Sequence, residues 1–330
     1  MKYNPALDGL RAVAAFAVIA YHCKLPMAWG GSYGVAVFFV LSGFLITSII
    51  VQAQRANGSF DFAGFLGKRI VRLVPALFAM LLIVMAVQQL FLGHTEYQGA
   101  AYSAAYLMDY VAATGFAEKT FGHTWSLAVE MKFYLFWPFV AVWLAGKRDR
   151  AAVLILAAVF MALWGWRVAD MLMFEDTTRT YFRFDDRLTG LVLGALISFV
   201  DWRPGRALVI GCAIALAVQL SINSSVTVAM ILGVTIVEVT TAVLILHLLA
   251  EQSAISRTLS ARPMVYLGTI SYGIYLWQSP WELALHDYFD PLPLAIVVSI
   301  ASVAAAALSW HYLERPLTQW WRARPAATAA

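Results

Sequence analysis

Apolar residues run along this chain in blocks of about twenty, separated by short polar stretches. A helix of that length crosses the roughly 30 Å hydrocarbon core of a bilayer. The blocks fall at 10–28, 34–54, 73–92, 124–146, 151–170, 188–200, 207–222, 226–249, 266–285 and 293–313. About ten spanning helices are therefore predicted, the sixth of them short. Residues 98–113 form a further apolar stretch that carries Asp109, and it reads as re-entrant or interfacial. Lys2 and Arg11 ahead of the first block imitate a signal peptide. No small-x-small cleavage site follows His22, so 10–28 is read as a retained helix.

Composition sharpens this picture. The 330 residues are 62% hydrophobic and 13% charged, with a mean hydropathy of +0.73. A soluble domain is about half apolar and a quarter charged, so this chain has too few polar side chains to cover a surface in water. An all-α integral membrane protein follows. One transmembrane domain spans 1–316, and 317–330 is a short cytoplasmic tail whose Trp320 and Trp321 read as an interfacial anchor. The net charge of +4 comes with no basic run interleaved with aromatics, so nucleic acid is not a predicted partner. Cys23 and Cys212 form no CxxC pair and no metal spacing, and no metal is predicted. Cys23 and His22, as helix neighbours, point about 100° apart and make no nucleophile pair.

Basic residues collect on the cytoplasmic side of membrane proteins. With a cytoplasmic N-terminus and 98–113 not counted as a span, Lys24, Lys119, Lys132, Arg167, Arg179, Arg183 and Arg187 fall in the outer half. The other 16 of the 23 Lys and Arg residues, from Lys2 to Arg324, fall in the inner half. The split favours ten spans with both termini cytoplasmic, as a multi-pass protein of the inner (plasma) membrane.

Ionisable side chains inside a bilayer are costly and are candidates for function. Arg11 and His22 are eleven residues apart, which brings them within about 20° of the same helix face and separates them by roughly 16 Å. A cation at one end and an imidazole at the other suit a route from an anionic ligand to a reaction centre. A snorkelling anchor with a buried hydrogen-bonding histidine is the plainer alternative. Arg69 and Arg72, one turn apart at the predicted start of the third helix, read either as a phosphate cradle or as ordinary inside charge, and Lys68 reads as ordinary inside charge. In HTWSLAVEMKFYLFWP, Glu130 is a carboxylate in an apolar helix, the candidate acid/base partner of His22 or the group that orients it. Lys132 is open to a structural ion pair with an acid elsewhere. FRFDDRLTG places Arg183, Asp185, Asp186 and Arg187 on the outer side, either as a saccharide-binding set or as a solvated loop. Glu238 and His247 are half a turn out of phase and receive no role, and His94, His286 and His311 read as ordinary interfacial histidines.

LDGLRAVAAFAVIAYH, with its R-x10-H spacing, resembles the opening of the acyltransferase 3 family of membrane acyltransferases. FFVLSGFLIT around Ser42, KRIVRLVP, TWSLAVEMKFYLFWP, LGTISYGIYLWQSP around Tyr272 and YLERP with Glu314 follow in the family's order, from Leu7 to Pro316. The resemblance implies about ten helices and transfer of an acyl group, usually acetyl, from cytoplasmic acyl-CoA to a hydroxyl of a glycan or lipid-linked saccharide. By position, Arg11, Arg69 and Arg72 are expected to hold the phosphates of acetyl-CoA. His22 is expected as base or acyl relay, and Glu130 stands at the family's acidic position. Asp8, Ser42 and Tyr272 within these motifs, with Arg183, Asp185 and Arg187, are expected to bind substrate. Two positions depart from the family: Met131–Lys132 stand where it usually has Glu-Gln, and Gln278 where it often has His. Many members carry a further esterase-like domain. This chain ends after its last helix and is expected to act alone, with a separate partner protein, or as a homo-oligomer among membrane lipids. A transporter using Arg11, His22 and Glu130 as a substrate or proton pathway is the rival reading. Transporters often show two related halves, and none is visible here.

Overall fold

A computed structural model of the chain describes residues 3–93, 95–116, 120–222 and 226–323. The readings placed on Lys2, His94, Lys119 and Arg324 lie outside the described residues, which are helical with no strand among them.

The first helix, α1 (Pro5–His22), begins where Asn4 accepts a hydrogen bond from the Ala6 amide and Pro5 takes the first helical position, where its missing N–H is not needed. It therefore starts and ends earlier than 10–28. α2 (Gly34–Asn57) ends at Gly58 in the left-handed conformation that glycine adopts without strain. α3 (Phe62–Val87) is capped by Asp61 and runs through Pro75. It starts eleven residues before the predicted third span, which brings Arg69 and Arg72 inside the helix rather than at its start. The stretch around Asp109 divides into α4 (Tyr97–Ala104) and α5 (Met108–Ala112), both too short to span. α6 (Trp125–Ala145) and α7 (Asp149–Phe174) are followed by α8 (Thr177–Phe182), α9 (Phe184–Ile197) and α10 (Arg206–Ser221). A short turn α11 (Val226–Val228) leads by a π-turn into α12 (Val234–Ala250), and α13 (Ala254–Leu259) follows. The predicted helix 266–285 breaks at Ile270 into α14 (Arg262–Thr269) and α15 (Ser271–Leu285). α16 (Pro291–Ser309) continues through a π-turn at Trp310–Glu314 into α17 (Arg315–Ala323), so helix extends past residue 316 into the predicted tail.

Six of these stretches are long and apolar enough to cross a membrane: Gly31–Asn57, Phe62–Phe91, Gly122–Ala145, Asp149–Phe174, Met230–Ala250 and Pro291–Ala323. The other four predicted spans fall on α1, α9, α10 and the broken α14–α15. α9 and α10 have 14 and 16 residues, and α1 carries Asp8 and Arg11.

α2 is the central helix. In its most apolar stretch 83% of residues are buried, against 17% for α7, which leaves most of α7 facing outward. Close approach at small residues makes this possible. A Cβ on Gly43 of α2 would run into the Leu191 carbonyl of α9, and one on Gly194 into the Val40 carbonyl of α2. α1 packs on α2, α14 and α15. The motif-bearing helices α1, α2, α3, α6 and α15 thus surround one interior.

Candidate active site

Two cavities lie among these helices. The smaller, about 70 Å3, is a cleft lined by Arg11 of α1, Ser42 of α2, Arg69 and Arg72 of α3, Glu130 and Tyr134 of α6, and Tyr272 of α15. The larger, about 650 Å3, is lined by His22, His123, Tyr33, Trp125, Tyr181 and Glu282, among others. Val35 and Tyr275 belong to both walls. The Tyr275 ring is held in place at its hydroxyl, which donates to the His123 carbonyl at 2.8 Å and accepts from Ser126 at 2.7 Å. Arg11 and His22 thus face two adjoining spaces, in keeping with the common face that eleven helical steps give them.

Three guanidinium groups line the cleft with a single carboxylate. Arg69 lies over the rings of Phe65 and Tyr134, 5.7 and 5.4 Å from their centroids, a stacking that a planar guanidinium makes and an ammonium does not. Glu130 accepts from the Ser42 hydroxyl at 2.6 Å. Tyr272 ties α15 to α3 by donating to the Leu73 carbonyl at 2.8 Å. Asp8 is 3.6 Å from Arg11 and accepts from Tyr3 at 2.6 Å. Burial, then Asp8 itself, pushes the Tyr3 phenol up to about 12, so Tyr3 keeps its proton.

In the larger cavity, the partner of His22 is not Glu130. His22 Nδ1 bonds the amide oxygen of Gln278 at 2.9 Å, while Glu130 faces the cleft with the arginines. The reason is helical geometry. His123, in the turn that leads into α6, precedes Glu130 by seven residues, about 10 Å along the axis, so the imidazole cavity and the carboxylate lie at different levels. His123 is the second imidazole in the cavity. Its Nε2 bonds the Leu276 carbonyl at 3.0 Å. In a regular helix that carbonyl would accept from residue 280, which is Pro280 and has no N–H. The proline frees the acceptor that orients the histidine. Pro280, four residues after Leu276, is the signal in the sequence that could have pointed to this contact.

The side chains of the outer polar set have separate partners. Arg183 clasps Asp185 through two hydrogen bonds of 2.9 and 2.6 Å, and Asp185 also accepts from Trp166. Arg187, two residues beyond Asp185 and so about 200° around α9, is 1% exposed and lies against the rings of Phe39, Trp125 and Tyr181. None of the three lines either of these two cavities. Glu238, given no role from the sequence, accepts from Thr189 at 2.6 Å and lies 3.7 Å from Arg167. Lys132 finds its acid in Asp109 at 2.6 Å. Among the described residues, no group of three or more His, Cys, Asp or Glu side chains is placed to hold a metal ion.

A family model described as an acyltransferase domain matches residues 4–312. The chain is similar to the peptidoglycan O-acetyltransferase OatA of Listeria monocytogenes, 30% identical over 351 residues covering 96% of this chain and 56% of the relative. It is also similar to the O-acetyltransferase OatA of Staphylococcus aureus, 28% identical over 347 residues covering 96% of this chain and 57% of the relative. The chain thus spans little more than half the length of these relatives. No solved structure matches it.

Proposed function

The chain belongs to the acyltransferase 3 family, and on that premise we propose that it is a membrane O-acyltransferase. It moves an acetyl group from cytoplasmic acetyl-CoA to a hydroxyl of a cell-envelope glycan or a lipid-linked saccharide. The observation that carries this reading is the adjoining pair of spaces, one rich in guanidinium groups and one holding imidazoles, on either side of Val35 and Tyr275. Arginine suits phosphate, which it meets with two parallel hydrogen bonds. Arg11, Arg69 and Arg72 are the donor-binding residues. The roughly 16 Å from Arg11 to His22 along α1 is comparable to the reach of an extended pantetheine arm. At about 70 Å3 the cleft takes that arm only if its lining side chains move apart.

The aromatic walls of the larger cavity, with Ser32, Thr177 and Thr178, suit a saccharide, whose ring faces are apolar and whose edges carry hydroxyls. There the His22 imidazole takes the proton of the acceptor hydroxyl as its oxygen bonds to the acyl carbon. The carbon–sulfur bond breaks and the leaving thiolate takes the proton back from the imidazolium. Glu130 balances the arginines rather than the imidazole, and Ser42 orients it. Ten spans with both termini cytoplasmic, in the inner membrane, would turn the arginine end of α1 toward the acyl-CoA pool and the histidine end toward the envelope. The relatives' names support O-acetylation of a peptidoglycan-like acceptor.

Protein reconstituted in lipid should release free thiol from acetyl-CoA when saccharide acceptor is supplied, and the acceptor should gain the mass of one acetyl group. His22→Ala should lower this rate by about 10²–10⁴-fold. Turnover unchanged in that variant would remove His22 from the chemistry, and uptake of acceptor without thiol release would point to transport instead.

A further inference from the structure

The hydrogen bond between His22 Nδ1 and the Gln278 amide oxygen joins residues 256 apart in the sequence, and it is 2.9 Å long. Resting on the acyl-transfer reading, we propose that Gln278 is the positioning residue of the reacting imidazole, fixing it as the Nδ1–H tautomer so that Nε2 presents its lone pair.

The assignment follows from what each atom can do. An amide oxygen accepts and has no hydrogen to give, so the shared hydrogen belongs to Nδ1. A neutral imidazole carries one N–H, which leaves Nε2 bare. Gln278 does little else. It is 0% exposed, and its Nε2 has no hydrogen-bond partner among the described residues. A buried amide with idle donors destabilises a fold, and a leucine would fill the same space without that penalty. The residue is therefore explained by its bond to His22 rather than by packing.

The amide is also distinct from a carboxylate in the same place. A carboxylate would orient the ring equally well but would add a negative charge and hold the imidazolium. Gln278 sets the tautomer and leaves the ring neutral, ready to accept a proton. The other titratable groups on this cavity are His123, Glu282, Tyr21, Tyr33, Tyr181 and Tyr275. Of these, His123 bonds Leu276 through its Nε2, and Tyr275 bonds Ser126 and the His123 carbonyl. Among the described residues, the acceptor facing His22 Nδ1 is the Gln278 amide oxygen.

The test is ¹⁵N-histidine NMR of the whole chain in lipid nanodiscs, with the His22 signal identified by its loss in His22→Ala. The wild type should show His22 as the Nδ1–H tautomer. Gln278→Leu should move a measurable share to Nε2–H and lower kcat by at least about tenfold, with KM for acetyl-CoA within about twofold of wild type. Gln278→Glu, which keeps an acceptor oxygen, should keep the proton on Nδ1 while raising the share of imidazolium. A wild-type His22 in the Nε2–H form would overturn the proposal without any variant, and so would an unchanged tautomer in Gln278→Leu. Wild-type protein that releases no thiol would sink the acyl-transfer reading, while the wild-type spectrum would still decide the tautomer.

Discussion

Two ionisable residues on α6, Glu130 and Lys132, stand two positions apart and belong to opposite kinds of region. Lys132 turns toward α5 and forms a closed pair. It donates to Asp109 at 2.6 Å and to the Tyr106 carbonyl at 3.0 Å, and it lies 5.0 Å from the Tyr110 ring centroid. Asp109 is 0% exposed. One positive charge meets one negative charge, and neither residue lines either of the two cavities described above. Glu130, about 200° away on the helix, faces a cleft that it shares with three guanidinium groups. A charge in an apolar helix thus has two meanings. Where partners balance one to one, the charge locks helices together. Where cations outnumber acids around open space, the excess suits an anionic ligand, which is the role we propose for the cleft.

The comparison breaks most visibly at the closed pair. Lys132→Met leaves Asp109 buried without a cation, and removing one partner of a buried pair costs about 3–5 kcal/mol. The lower end applies because the Lys132 side chain keeps 19% of its surface exposed. Thermal unfolding in detergent should show that loss, and Asp109→Asn combined with Lys132→Met should recover much of it. KM for acetyl-CoA should not follow. Next comes the cleft. Arg69→Met or Arg72→Met should each raise KM for acetyl-CoA by about 10–100-fold, the weight of about 1.5–3 kcal/mol for a charged hydrogen bond, without lowering the unfolding temperature. An Arg72→Met protein that unfolds early but binds donor normally would place that residue with the scaffold. The smallest effect is expected at Ser42, whose hydroxyl donates to Glu130. Ser42→Ala should cost about 1 kcal/mol, read as a severalfold change in the same KM.

Much of this was legible in the sequence because it depends on local periodicity. Block length gave most helices within a few residues, and the 100° step put Arg11 and His22 on one face. The resemblance to the acyltransferase 3 family rested on motifs that follow in order from Leu7 to Pro316, with departures at Met131–Lys132 and Gln278, and the family model matches residues 4–312. Boundaries moved where local chemistry overrode hydropathy. Asn4 and Pro5 started α1 early, Asp61 started α3 early, and a break at Ile270 split a predicted span.

The sequence by itself determined that the chain is a set of apolar helices bearing a few charges at fixed phases, since phase and length are properties of each segment alone. Only the tertiary structure decided which of those polar groups meet. Glu130 went to the arginines rather than to His22, Lys132 to Asp109, Arg187 to an aromatic pocket, and Gln278 to the imidazole. These partners lie on separate helices, and the close approach of α2 to α9 and of α1 to α14 at glycines fixes how the helices face one another. Low dielectric in the bundle makes each such meeting energetically decisive, yet no helix carries in its own residues the identity of the neighbour it will face.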